Sequence, residues 1–429
     1  MEKKIGNLFK GDKGIWTVFL FLCVISIIEV FSASSTLTYK THNYMGPLIY
    51  HTVMILVGLG VAIIILNLPY RVFRKMIPIM LFITYATLLW VLIFGESING
   101  ANRVIQLPGF TFQPSEIAKG TMVLVTAQIL NAMQCSDGSG ADRKAMPFIL
   151  VVVVPAVILI GIENLSTALL LFTVVFIMMF IGRVPMKQMG KLTGVCVLLV
   201  ALFLGLVFSV GSLDKEGQEL EQAKATNTEI VNKTSKEDRS FWDKFTHRFW
   251  TWKNRLTSKS EKDVPAKDYK VTDKNFQVTH ANLAIASSGI IGKGPGNSLE
   301  RDYLPQAFSD FIFAIIIEEM GLIGAIAVVF LYIILLFRGA RIAGRCEDNF
   351  PAFLVLGLVL LLVIQAAINM CVAVDFGIVT GQPLPLISKG GTSTIVNCAY
   401  IGVILSVSRS VKRKNRDAKS VESVELSAI

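Results

Sequence analysis

Charged side chains are scarce in this chain. Asp, Glu, Lys and Arg make up 17% of its 429 residues, where a soluble globular chain carries about a quarter. The shortage excludes an ordinary water-facing surface. With 53% hydrophobic residues and a positive mean hydropathy, lipid is the solvent. The cysteines are few and badly placed for a framework. Cys23, Cys135, Cys196, Cys346, Cys371 and Cys398 fall in apolar runs or short loops, none in the one long polar stretch. A disulfide scaffold or a structural zinc cluster is thereby excluded there. The short basic loops contain no glycine-rich phosphate cradle, and no internal repeat is visible.

Long apolar runs are what the chain has in abundance. Ile15–Phe31, Thr52–Leu68, Ile77–Phe94, Phe148–Ile162, Leu165–Ile181, Leu192–Val210, Phe311–Phe337 and Phe353–Val374 approach the length of a transmembrane helix. Two more polar runs, Ser115–Met133 and Thr394–Val407, complete an even count. The expected fold is an all-α polytopic membrane protein of about ten transmembrane helices. It forms one membrane domain over residues 1–429. Lys3, Lys4, Lys10 and Lys13 before the first run resemble a signal-peptide start, and Ser32-Ala33-Ser34 resembles a cleavage site. The length of the run and the nine that follow favour an uncleaved anchor.

Basic residues set the orientation. Arg71, Arg74 and Lys75 follow the second run, Arg143 and Lys144 the fourth, and Arg183, Lys187 and Lys191 the sixth. Arg338, Arg341 and Arg345 follow the eighth, and Arg409, Lys412, Arg413, Lys414 and Arg416 the tenth. The positive-inside rule places these segments, both termini and the 409–429 tail in the cytoplasm. The formal charge of +10 is therefore a topology signal, and no nucleic-acid partner is implied. The unusual segments face outward: 95–114, the turn at Glu163-Asn164, a large loop at about 211–309 between the seventh and eighth spans, and 377–392. An enzyme working there has no access to nucleotide-activated donors, so energy must arrive with a lipid-linked substrate.

Within the large loop, residues 212–232 are polar. In 236–256 Phe241, Phe245, Phe249, Trp252 and Leu256 recur at helical spacing among Lys244, Arg248, Lys253 and Arg255. That pattern fits a helix lying in the membrane interface or packed on the protein's own outer surface. Asn232-Lys233-Thr234 matches a glycosylation sequon, a match common by chance. Further on, Gly292-Lys293-Gly294-Pro295-Gly296 reads either as an anion-binding nest for pyrophosphate or as an ordinary turn. Asp310 stands at the mouth of the eighth span. A carboxylate there could serve as a general base on a sugar hydroxyl, or simply cap the helix.

Together these residues resemble the SEDS family, the shape, elongation, division and sporulation proteins typified by FtsW, RodA and SpoVE. The resemblance rests on Phe112-Gln113-Pro114-Ser115-Glu116 with Lys119, the glycine-rich run into Asp310-Phe311-Ile312-Phe313-Ala314, Gln365 to Asn369, and Pro383-Leu384-Pro385-Leu386-Ile387-Ser388-Lys389-Gly390-Gly391. It spans nearly the whole chain. It implies a peptidoglycan glycosyltransferase that polymerises lipid II into glycan strands on the outer face of the cytoplasmic (inner) membrane. The implied partners are undecaprenyl-pyrophosphate-linked glycan, a class B penicillin-binding protein as crosslinking transpeptidase, and other divisome membrane proteins. It makes Asp310 the catalytic base, with inversion at the anomeric carbon. Charge on the leaving pyrophosphate calls for cations. Arg103, Lys119 and Lys293 lie on or near the outer side, Glu116 pairs with Lys119 at i,i+3, and Ser388 and Lys389 complete the expected substrate-binding set. A divalent cation, Mg or Mn, suits the same charge; no organic cofactor is called for.

The sequence also departs from the family pattern. Val104 follows Arg103 where an Arg-Trp pair is usual, Glu163-Asn164-Leu165-Ser166-Thr167 stands for Pro-Asp-Leu-Gly-Thr, and Lys389 replaces a Tyr. Glu29 and Asp375 have no role that the resemblance supplies. Gly11-Asp12-Lys13 and Phe31-Ser32-Ala33-Ser34 look more like the division-type members, so septal synthesis is preferred over elongation. The competing readings are a flippase for lipid II, which would place its polar motifs at the midplane, and a scaffold that only positions a crosslinking enzyme.

Overall fold

A computed structural model describes residues 10–33, 45–94, 96–98, 101–107, 110–135, 140–202, 204–205, 275–304, 307–377 and 380–427. The expected interfacial helix at 236–256, the sequon at Asn232 and most of loop 211–309 lie outside the described residues. The chain sorts into two compact units, residues 1–185 with 280–429, and residues 186–279. In the second, residues 186–202 are helical (α7).

The first unit holds α1 (Lys13–Ala33), α2 (Gly46–Asn67), α3 (Tyr70–Phe94), α4 (Pro114–Ala132), α5 (Ala145–Glu163) and α6 (Leu165–Ile181). After α8 (Phe276–Ser288) come α9 (Ile312–Ala343), α10 (Asn349–Ala373) and α11 (Gly391–Ser427). Helix is found at each of the ten expected positions, though the expected run to Val210 is described only in part. Among the described residues seven helices are long and apolar enough to cross a membrane: α1, α2, α3, α5, α9, α10 and the Gly391–Lys412 part of α11. α6 is apolar but shorter, at 17 residues, and α4 carries the polar residues that marked it as a weak span. The chain is a multi-pass membrane protein.

α10 lies at the centre, packing on α4, α6, α9 and α11, while α1 packs on α9 and α2 on α11. Apolar side chains gain nothing from meeting each other rather than lipid, so close approach depends on small residues. Gly357 of α10 is one: a Cβ there would meet Met178 Sδ and Val123 Cγ1 at 2.6 Å.

The outer segment before α4 departs from the all-helical expectation. Glu96–Ile98 (β1), Ala101–Leu107 (β2) and Phe110–Phe112 (β3) form an antiparallel meander in the order β1-β2-β3. Val104 pairs with Glu96, and Ile105, Gln106 and Leu107 pair with Phe112, Thr111 and Phe110. The meander delivers the chain to Pro114 at the first turn of α4, where a missing N–H costs nothing. Thr392 fastens the junction, accepting from Gln113 N (3.2 Å) and donating to Thr111 O (3.0 Å).

Candidate active site

Between α10 and α11 the chain runs without helix from residue 380 to 390, yet most of it is buried. Buried non-helical backbone survives only where protein groups satisfy its N–H and C=O groups. Polar side chains from several spans converge on this stretch. Asn369 of α10 donates to Gln382 O (2.7 Å), and Gln365, one turn earlier, to Pro383 O (3.0 Å). Gln382 itself donates to Thr167 Oγ1 of α6 (2.7 Å). Tyr332 of α9 donates to Pro385 O, and Ser26 of α1 to Ile387 O (2.6 Å). Ser26 has given up its proton, so His51 Nε2, 2.7 Å away, is the donor of that pair. Leu386 is held between these anchors at φ 68, a left-handed conformation that costs a non-glycine residue about 1–3 kcal/mol.

The braced segment meets the start of α9. Ser388 Oγ accepts from Leu384 N and donates to Ser309 O, both at 2.7 Å. Lys389 N donates to Phe308 O (2.9 Å), and the Lys389 ammonium lies 4.8 Å from the Phe308 ring centre. Burial pushes the Lys389 ammonium below its usual pKa. Asp310, half-buried, is thereby fixed on two sides. Its carbonyl accepts from Asn369 Nδ2 at 2.9 Å, and its Oδ1 accepts from Ser309 Oγ at 2.9 Å. Gly381 passes beside the carboxylate, where a Cβ would stand 3.5 Å from Oδ2. The cap position of α9 falls on Phe311, one residue beyond Asp310, and no side chain caps it there. The carboxylate is thus held between two segments of irregular backbone.

The structure brings Asp310, Ser388 and Lys389 together. Glu116 and Lys119 form the expected pair, at 2.9 Å, but inside the protein. Lys119 is 0% exposed and also donates to Gln365 Oε1 (2.7 Å). In this conformation its ammonium faces no solvent, and its work is to hold the glutamine that supports Pro383. The chain places Arg103 on β2; its side chain lies outside the described residues.

The glycine-rich loop corrects another expectation. It is a nest, but its anions are the protein's own. Lys293 Nζ lies 2.6 Å from Glu318 Oε1, which also accepts from Leu299 N (3.1 Å), while Ser298 Oγ donates to Oε2 of the same carboxylate. Glu319 accepts from Gly296 N (3.0 Å) and Ser298 N (3.3 Å), and from Ser32 of α1. The backbones interlock as well, with Lys293 N on Glu318 O and Gly294 N on Glu319 O. Such an approach requires glycine on both sides. A Cβ at Gly292 would stand 2.3 Å from Glu319 O, and one at Gly321 (φ 67, ψ −170) 2.3 Å from Ile290 O. The loop therefore clamps a break in α9, on the same helix that begins beside Asp310.

Glu318, Glu319, Asn369, Gln382, Thr167 and Tyr332 were not among the expected site residues. For all but Gln382 the signal was a polar group inside an apolar run. Asn164, the substitute for the family acid, caps α6 by accepting from Thr167 N (3.3 Å). Among the described residues no group of three or more His, Cys, Asp or Glu could hold a metal ion.

Comparison with known proteins follows the same outline. The model of the FtsW, RodA and SpoVE cell cycle proteins matches residues 12–219 and 244–413. The chain is 30% identical over 398 residues to a probable peptidoglycan glycosyltransferase FtsW of Geobacter metallireducens, covering 91% of this chain and 92% of the relative. It is 27% identical to the peptidoglycan glycosyltransferase MrdB of Escherichia coli, covering 92% and 93%. A solved peptidoglycan synthase complex, described for its structural coordination of polymerization and crosslinking, shares the fold at TM-score 0.68. Sequence identity to it is 20%, and the match covers 94% of this chain and 99% of that one.

Proposed function

Because this chain belongs to the FtsW, RodA and SpoVE family of cell cycle proteins and is a peptidoglycan glycosyltransferase, we propose that it polymerises lipid II with Asp310 as general base. The 4-hydroxyl of the acceptor's terminal GlcNAc attacks the anomeric carbon of MurNAc at the reducing end of the growing strand. Its proton passes to the Asp310 carboxylate, the bond from the anomeric carbon to the pyrophosphate oxygen breaks with inversion, and undecaprenyl pyrophosphate departs. Lys389, beside Phe308 and next to the Ser388–Ser309 bond, is the first candidate cation for this step. Arg103 is the second candidate on the outer side.

One observation carries the reading: the Asp310 carboxylate stands where two irregular segments meet, with the backbone on either side held by buried Asn369 of α10 and Ser388 of the 380–390 segment. Glu116, Lys119 and Gln365 act one layer behind it as positioning residues. The positive-inside arrangement supports an extracytoplasmic site in the inner membrane. The synthase complex that shares this fold supports a crosslinking penicillin-binding protein as partner. Septal synthesis is the preferred role. Asp12, part of the division-like opening, also serves the fold, accepting from Ile15 N (3.1 Å) and pairing with Arg338 (3.7 Å).

The test is polymerisation of lipid II by the purified protein with its crosslinking partner, comparing wild type with Asp310→Asn. A general base contributes about two to four orders of magnitude. A loss of that size in a folded variant is the expected result. Normal polymerisation by Asp310→Asn would remove Asp310 from the mechanism. Inactivity of the wild type would favour the flippase reading. Complementation of FtsW-depleted against RodA-depleted cells tests the septal role.

A further inference from the structure

The cytoplasmic ends of three helices leave a pocket of about 650 Å³, within the range of small-ligand sites. The start of α3 contributes Arg71, Arg74 and Lys75, the end of α4 Gln128 and Asn131, and the start of α10 Asp348. Phe350, 2% exposed, also lines the cavity.

Three cations face a single acid in this pocket. The first turn of α3 contains no acid, and a helix N-terminus already carries about half a positive charge, which nearby cations oppose. Asp348, the acid that lines the cavity, accepts a hydrogen bond from Tyr70 (2.7 Å). Among the described residues neither Arg74 nor Lys75 has an ion-pair partner. By contrast Arg338 pairs with Asp12, and Arg301 lies 3.8 Å from Glu319. Gln128 adds an independent sign: its Oε1 is buried with no hydrogen-bond partner. A buried acceptor without a donor is costly, so the pocket calls for a hydroxyl as well as an anion. The positive-inside rule accounts for cations on this side of the membrane. It accounts neither for a cavity between them nor for an orphaned acceptor in its wall.

The surroundings indicate how such a ligand would arrive. α3 is largely uncovered by other helices, with Ile79 59% and Phe82 76% exposed. Its flank offers an apolar surface for acyl chains directly beyond the cationic turn. Basic pockets between cytoplasmic helix ends suit lipid phosphates at that depth. We propose that this pocket binds an anionic lipid headgroup of the cytoplasmic leaflet, its phosphate held by Arg71, Arg74 and Lys75 and its hydroxyl donating to Gln128.

Thermal unfolding of the full chain in detergent, titrated with phosphatidylglycerol, phosphatidylcholine, glycerol 3-phosphate or inorganic phosphate, tests the assignment. Phosphatidylglycerol should raise the melting temperature saturably and phosphatidylcholine should not. The double variant Arg74→Gln/Lys75→Gln should need roughly thirtyfold more phosphatidylglycerol for the same shift. Gln128→Leu, which leaves charge and topology unchanged, should need roughly fivefold more. It decides the matter if the double variant does not fold. Lys187→Gln/Lys191→Gln, removing the same charge elsewhere on the cytoplasmic side, should match wild type. An equal shift with glycerol 3-phosphate or inorganic phosphate would overturn the lipid in favour of a soluble phosphate compound. A wild-type response in Gln128→Leu, or an equal loss in the Lys187/Lys191 control, would reduce the effect to general surface charge and overturn the proposal.

Discussion

Replacing Lys293 by Met strips one cation from a carboxylate that has no exposure to water. Glu318 is 0% exposed and Lys293 only 25%, so solvent screening is weak. Breaking a buried ion pair by removing one partner costs about 3–5 kcal/mol. Glu318 would keep the Ser298 hydroxyl and the N–H groups of Leu299 and Glu300, which brings the expected loss down to about 2–3 kcal/mol. That is a fall of roughly 30- to 150-fold in the ratio of folded to unfolded protein. Glu318→Gln alone should cost a similar amount, since it leaves the ammonium facing an amide. Lys293→Met/Glu318→Gln removes both charges of the pair and should be no worse than either single change, a coupling of about 2–3 kcal/mol. Equilibrium unfolding in mixed detergent–SDS micelles would measure all three. The clamp sits on the helix that starts at Asp310, so kcat for lipid II polymerisation should fall in the single variants and partly return in the double. A cost below about 0.5 kcal/mol for Lys293→Met, or strict additivity, would refute the view that the nest serves this carboxylate.

Other outcomes follow from the same geometry. Gly321→Ala places a side chain at φ 67 and within 2.3 Å of Ile290 O; it should destabilise by at least about 3 kcal/mol by the same unfolding assay. Lys119→Met should cost about 3–5 kcal/mol by orphaning Glu116, and Glu116→Gln added to it should restore much of that. Asn369→Ala leaves the carbonyls of Asp310 and Gln382 without their donor, at about 1–3 kcal/mol each. It should lower kcat more than it raises KM in a polymerisation assay. Asn164→Ala should cost about 1 kcal/mol in unfolding by removing the α6 cap.

Much of this protein could be read before any coordinates. A bilayer accepts only helices or closed barrels as spanning structures, so apolar run length located the helices, and basic residues set the expected direction of each. Asp310 could be nominated because an acid at a membrane boundary is costly and rarely idle, whereas Ser388 and Lys389 stood out only through the family resemblance. Residues Gln365 and Asn369 stood out in the resemblance, yet nothing in one dimension said which carbonyls they would serve.

Tertiary structure decided the partners. The order of residues says that Lys293 lies among glycines, a pattern equally suited to a pyrophosphate or a carboxylate; only folding showed Glu318 and Glu319 already in the nest. The spacing of Glu116 and Lys119 predicted their pairing, because i,i+3 geometry is local. Their burial was not predictable, because it depends on α10 covering α4. The short β meander was hidden because strand pairing is set by neighbours across a turn. Local rules thus located the helices and nominated the half-buried acid before α9. Contacts between residues far apart in the chain decided which polar groups support that acid and which are left to meet a ligand.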